Sequence, residues 1–295
     1  MECRVITHRL FAACAALIAC ALPSCTTMSF IPSGGRVEAA PDGVDVHPIR
    51  APDGITLNCW VLPAADPVRT IGTVLYLHGV ATGDRSQITV IDSVGMTAFL
   101  RAAGYRVVAF DYRGLGGSDP GRITAQTWLA DSRAALSFAR SITPGDQPTI
   151  AVGHSIGGVF ALGLGAHGDI SGVPPDAIVS YGAISGWRAA AHDRVPVLGF
   201  LVAGNDGPGP RDWIRSMSAG VPAMLVHASD DPQVPVYHLH RLVLAAAASP
   251  NQLLGIERPR GGHEQIVTDD AFVQSLVLAF MTRAAAHPDT RSARE

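Results

Sequence analysis

Two hydrophobic periodicities alternate along most of the chain. Residues 44–50 and 55–62 are strand-like runs flanking Ala51-Pro52-Asp53-Gly54, and Asp-Gly between two such runs signals a hairpin. Residues 70–77 form a continuous apolar run rich in Val, Ile and Leu, the pattern of a strand buried on both faces. Runs of the same kind recur at 106–110, 149–152, 177–181, 223–227 and 252–257. Between them the period lengthens to that of a helix. Residues 94–103 are stopped by Gly104, and 125–141 place Trp128/Ala135 and Leu129/Leu136 at heptad spacing. Helical stretches at 156–167, 237–248 and 271–286 complete the series. A hairpin followed by strand–helix alternation predicts an α/β fold: a twisted, mostly parallel sheet of about eight strands with helices on both faces. In such sheets function gathers at the carboxyl ends of the strands.

Composition narrows the field. With 47% hydrophobic and 16% charged residues over 295 positions, the chain can bury a sizeable core and is not a disordered polymer. The net charge of −3 and the absence of a basic run leave no electrostatic footprint for nucleic acid. All 22 basic residues are Arg, which reads as genomic base composition.

Three predicted strand ends carry chemistry. Gly153-His154-Ser155-Ile156-Gly157-Gly158 follows one strand and opens a helix, the context that G-x-S-x-G requires. Ser155 must sit on a sharp, strained turn there, and bulk at 153 or 157 would collide with the neighbouring strand and helix. The helix N-terminus puts N–H groups and positive dipole near a developing oxyanion. A Ser hydroxyl needs a base. Of the 11 His, His263 in Arg260-Gly261-Gly262-His263-Glu264 falls between the last strand and the last helix and suits that role. His227 lies inside a strand, as a core or supporting residue, and His192, His238 and His240 follow no strand end. Ser229-Asp230-Asp231-Pro232-Gln233-Val234-Pro235 follows the strand at 223–227. A carboxylate there would orient the imidazole. Asp231 is favoured as that acid with Asp230 as turn-former, and Asp230 stays as the alternative.

The order Ser…Asp…His, with these contexts, resembles the α/β-hydrolase superfamily over about 44–286. Its compact esterase and serine-peptidase-like branch is similar to Asp111-Tyr112-Arg113-Gly114-Leu115-Gly116-Gly117-Ser118, in which Asp111 and Arg113 read as loop braces. The resemblance extends to Leu77-His78-Gly79-Val80, and it implies an oxyanion hole made by the N–H groups of Val80 and Ile156. It further implies a serine hydrolase acting on a small-molecule carboxylic ester or acyl substrate through an acyl-enzyme, with no cofactor and no metal. A peptidase or thioesterase would use the same groups, and a non-catalytic scaffold is the competing class. Residues 184–220, including Trp187, Pro196, Phe200 and Trp213, are expected to form a small lid-like insertion. Its apolar residues either line an acyl pocket or only cover the sheet.

The N-terminus reads as an address. Arg4, His8 and Arg9 precede an unbroken apolar run of 13 residues at 10–22, fitting a signal peptide and too short to span a bilayer stably. Leu22-Pro23-Ser24-Cys25 resembles a bacterial lipobox, which implies cleavage after residue 24 and lipid on Cys25. The expected organisation is a signal at 1–24, a lipidated tether at 25–42, a hydrolase domain at 43–286 and a frayed tail at 287–295. That places the protein in the cell envelope, on the periplasmic side and attached to membrane through its lipid. Thr26 after the Cys favours an outer membrane where the host has one. Of the five Cys, only Cys59 would remain in the body, so no internal disulfide is expected.

Overall fold

The computed structural model describes residues 44–79, 95–194, 207–249 and 251–286. The expected signal peptide, Cys25, the tether, Val80 and the tail at 287–295 lie outside the described residues. Eight strands make one sheet: β1 (Asp45–Arg50), β2 (Thr56–Leu62), β3 (Gly72–Leu77), β4 (Tyr105–Phe110), β5 (Thr149–His154), β6 (Ala177–Tyr181), β7 (Ala223–Ala228) and β8 (Leu253–Arg258). Their order is β1-β2-β4-β3-β5-β6-β7-β8. The pairs β1–β2 and β2–β4 are antiparallel, and the rest are parallel. The described helices are α1 (Ala98–Ala102), α2 (Ala125–Ser141), α3 (Ile156–His167), α4 (Trp187–Arg194), α5 (Pro210–Arg215), α6 (Tyr237–Ala246), α7 (Gln265–Thr268) and α8 (Ala271–Ala285).

Strand alternation splits the core into two layers. Leu75, Leu77, Phe110, Ala151 and Ile178 face one side, under Trp128 of α2, Phe160 of α3 and Leu242 of α6. Val74, Tyr76, Val107, Val152 and Val179 face the other, under Leu100 of α1 and Val273, Val277 and Met281 of α8. Every residue of β3, β5 and β6 is buried, as expected of strands covered on both faces. Cys59 is a free, buried thiol in β2.

The topology fixes where a site can form. From β3 the chain runs through α1 to β4 on one side, then returns through α2 to β5 on the other side of β3. The strand order therefore switches between β3 and β5, and their carboxyl ends open a crevice. Arg113 braces the loop after β4. Its guanidinium pairs with Asp131 of α2 at 2.6 Å and with Asp53 of the hairpin turn at 2.5 Å, and Arg113 and Asp131 are both buried. Asp111 Oδ2 accepts from Gly117 N at 2.8 Å in the same loop, so both residues act as the braces the sequence indicated.

Candidate active site

Ser155 stands between β5 and α3 with φ 56° and ψ −122°. Among the described residues it is the one non-glycine with positive φ, a conformation costly for any side chain with a Cβ. Its neighbours explain why glycines surround it. A Cβ on Gly157 would lie 1.9 Å from the Leu77 carbonyl oxygen, and one on Gly153 would lie 2.3 Å from that of Gly157. β5, the turn and α3 are thus packed backbone against backbone, as the motif demanded. Ser155 N donates to Tyr181 O at 2.8 Å, which ties the turn to the end of β6. Ile156 is the first residue of α3.

His263 and Asp231 meet as expected. His263 Nδ1–H donates to Asp231 Oδ2 at 2.6 Å, and both side chains are buried. Asp231 Oδ1 accepts from the N–H groups of Gln233 and Val234 at 2.8 and 2.9 Å. Burial raises the carboxyl's pKa, but the hydrogen bonds from His263, Val234 and Gln233 outweigh it and hold the group below its ordinary value. Asp230 is placed otherwise than as a turn-former: its Oδ1 accepts from Gly262 N at 2.9 Å, in the loop that carries His263, while the turn amides after β7 are held by Asp231 itself. With Nδ1 engaged, Nε2 of His263 is the nitrogen left for proton exchange. No hydrogen bond joins it to the Ser155 hydroxyl in this structure; in ligand-free sites such bonds are commonly long.

Three further residues complete the setting. Gly182, with φ +56°, passes beside the imidazole: a Cβ there would lie 3.2 Å from His263 Nδ1 and Cε1. His154, the variable residue of the G-x-S-x-G motif, donates from Nε2 to the His263 carbonyl at 2.8 Å. Burial, with the nearby His263 ring, pushes its pKa down to about 3, so it is a neutral strut. His227 donates from Nε2 to Val234 O at 2.8 Å and lies 3.6 Å from Asp231 Oδ2. It supports the acid's loop, as its place in a strand suggested. His154 and Gly182 escaped the sequence reading. Only the position of His154 inside the motif, and of Gly182 directly after β6, hinted at them.

The oxyanion side is partly in view. His78 Nδ1–H donates to Gly79 O at 2.6 Å, and burial pushes the pKa of this ring down to about 4. A Cβ on Gly79 would lie 3.1 Å from Ser155 Cβ, so the turn after β3 passes directly over the nucleophile candidate. Val80, the second expected donor, lies outside the described residues. In the insertion, Trp187 and Trp213 are buried and face Phe160 of α3 at ring-centroid distances of 6.4 and 6.2 Å. Both pack on the core cluster; Pro196 and Phe200 lie outside the described residues. Among the described residues no group of three His, Cys, Asp or Glu is arranged to hold a metal ion. No described helix is long and apolar enough to cross a membrane.

Comparison with known proteins bears on the family and the fold. The family described as serine aminopeptidase, S33, matches residues 70–195. An uncharacterised protein of Mycobacterium tuberculosis is 30% identical over 269 residues, covering 87% of this chain and 86% of its own. Lysophosphatidylserine lipase ABHD12 of Rattus norvegicus is 30% identical over 194 residues, 59% of this chain but 45% of the lipase. The chain thus matches less than half of that lipase's length. An esterase of Pyrococcus furiosus shares the fold with a TM-score of 0.65 at 18% identity, over 85% of this chain and 98% of its own. The acylaminoacyl peptidase of Pyrococcus horikoshii does so with a TM-score of 0.59 at 13% identity, over 81% and 40%. The chain belongs to the α/β-hydrolase superfamily and is one of its serine hydrolases.

Proposed function

We propose that the protein hydrolyses a carboxylic ester through an acyl-enzyme, with Ser155 as nucleophile, His263 as base and Asp231 as the residue that orients His263. The observation that carries this reading is the Asp231–His263 pair at the ends of β7 and β8, on the same sheet edge as the strained Ser155 turn. In the first step His263 Nε2 takes the hydroxyl proton as Ser155 Oγ attacks the carbonyl carbon. The tetrahedral oxyanion is held by the N–H groups of Ile156 and Val80, each worth roughly 3 kcal/mol. The proton then passes from His263 to the leaving alkoxide, and the ester bond breaks. Water, activated by the same imidazole, attacks the acyl-serine and restores the enzyme.

Similarity to lysophosphatidylserine lipases favours esters of single-chain lipids as the first substrates to examine. A peptidase is the second reading, favoured by the serine aminopeptidase match. The same reading places the protein in the envelope, carried by lipid on Cys25. The test is labelling by a fluorophosphonate probe, alongside turnover of p-nitrophenyl esters from short to long acyl chains and of aminoacyl p-nitroanilides. Labelling that disappears in Ser155→Ala, with ester turnover above anilide turnover, is expected. Folded wild-type protein that neither labels nor turns over would refute the catalytic reading.

A further inference from the structure

A second polar cluster lies next to the candidate site and takes no part in the chemistry above. His238, fully buried near the start of α6, uses both ring nitrogens. Its Nδ1 accepts from Ser185 N at 2.9 Å, with Ser185 Oγ at the same distance. Its Nε2–H donates to Asp193 Oδ2 at 2.7 Å. Tyr237 OH donates to the same carboxylate at 2.6 and 2.7 Å. Ser185 precedes α4 and Asp193 lies in its last turn, so one imidazole grips this helix at both ends. The grouping repeats the residue types of a catalytic triad, but Ser185 is 1% exposed and cannot meet a substrate.

Its importance lies in what it connects. Ser185 follows Gly182, the residue against the His263 ring, by one short turn. His238 follows Asp231 along a segment that is itself fixed: Asp231 holds the Gln233 and Val234 amides, His227 holds the Val234 carbonyl, and His238 N bonds Pro235 O at 3.0 Å. The loops after β6 and β7 both lie against the imidazole, beside His154 of β5, and His238 with Asp193 and Ser185 fastens one to the other.

We propose that this cluster is a positioning brace for the catalytic base: it sets the separation of Gly182 and Asp231 across His263 and thereby the rate of the chemical steps. The proposal rests on the assignment of Ser155, His263 and Asp231. A displacement of even about 1 Å at a catalytic group can lower a rate by as much as about a hundredfold, so a partial loosening is expected to cost about tenfold. Asp193 is half-buried, with its side chain 20% exposed, so its substitution removes no core side chain, although it leaves the buried His238 Nε2–H without its acceptor.

The experiment compares wild type, Asp193→Ala, Asp193→Asn and Tyr237→Phe for kcat, KM, the rate constant of fluorophosphonate labelling, and Tm. For Asp193→Ala, kcat and the labelling rate are expected to fall together by about tenfold with KM within about twofold, at a temperature where the variant is fully folded. Asp193→Asn should recover most of this loss, because the amide oxygen still accepts from His238 Nε2–H, and Tyr237→Phe should fall between them. A lowered Tm with unchanged kcat and labelling would overturn the brace and leave a purely structural cluster. A rise in KM alone, or an Asn variant as slow as the Ala variant, would also overturn it. Wild-type protein that does not label would remove the catalytic assignment itself, a result distinct from the failure of the brace.

Discussion

Replacing Ser155 by Gly or by Ala separates the chemistry of this position from its geometry. Both changes delete the hydroxyl, but only Ala keeps a Cβ in a backbone held at φ 56° and ψ −122°. A non-glycine residue in such a region costs about 1–3 kcal/mol. Gly relieves that cost, and its freer unfolded chain takes back about 0.5–1 kcal/mol. Ser155→Gly should therefore be more stable than Ser155→Ala by about 1 kcal/mol at the middle of these ranges and up to about 2.5 kcal/mol, or roughly 2–4 °C and up to about 10 °C in Tm for a domain of this size. The backbone bonds of the turn, Ser155 N to Tyr181 O and Val159 N to Ser155 O, are available to both variants and cancel in the comparison. Thermal unfolding followed by circular dichroism, with matched urea melts to check that the m-value is unchanged, gives the difference directly. A Gly variant less stable than the Ala variant would refute the claim that the fold stores strain here. Both variants should be inactive.

Asp231→Asn should lower kcat/KM by roughly 10⁴-fold, because the imidazole loses the partner that fixes its tautomer; steady-state ester kinetics check this. Stability should fall as pH drops from about 7 towards 4. His154 and His78, held near 3 and 4 in the folded protein, take up protons near 6.5 only when unfolded, so acid favours unfolding by up to about 1.4 kcal/mol per pH unit for each. His227 and His238, also lowered by burial, add to that slope. Asp231, whose carboxyl is held low, adds its own loss only below its ordinary value near 3.8. Urea melts across this range should be flatter for His154→Gln than for wild type. Arg113→Met should destabilise by about 3–5 kcal/mol, since it strands the buried Asp131 carboxylate; a loss under about 1 kcal/mol in urea melts would contradict this. Gly157→Ala drives a methyl into the Leu77 carbonyl and should abolish labelling by displacing the turn.

The strands were legible because burial on both faces writes itself as unbroken apolar runs. All eight runs correspond to observed strands, and the helices Ala125–Ser141 and Ile156–His167 have the expected limits. α4, α5 and α7 were not anticipated. They are short, and α4 buries only Trp187 and Ala191, too little to set a period. The residues proposed to react were visible because each stands at a strand end in a distinctive local motif. The supporting ones were not, because their contacts are remote in sequence. His154 reaches a carbonyl 109 residues away, and His238 binds groups 45 and 53 residues earlier. No local pattern encodes such a pairing. That His238 follows no strand end argues against a reactant and says nothing about a brace. The two Trp residues of the insertion are buried against Phe160, a contact no local pattern in the sequence encodes.

The distribution of the site over the sheet has a consequence for when activity arises. The proposed nucleophile follows the fifth strand, its orienting acid follows the seventh, and the base follows the eighth. If the proposed roles hold, a growing chain displays Ser155 long before His263, the proposed base, is made, and a fragment ending before β8 should show no turnover however well it folds. On this assignment, hydrolytic power arrives only once the loop after the final strand brings His263 against Asp231 and His154. Turnover of a simple ester would then report completion of the domain, and proteolytic removal of the segment from β8 onward should silence the enzyme while leaving its serine in place.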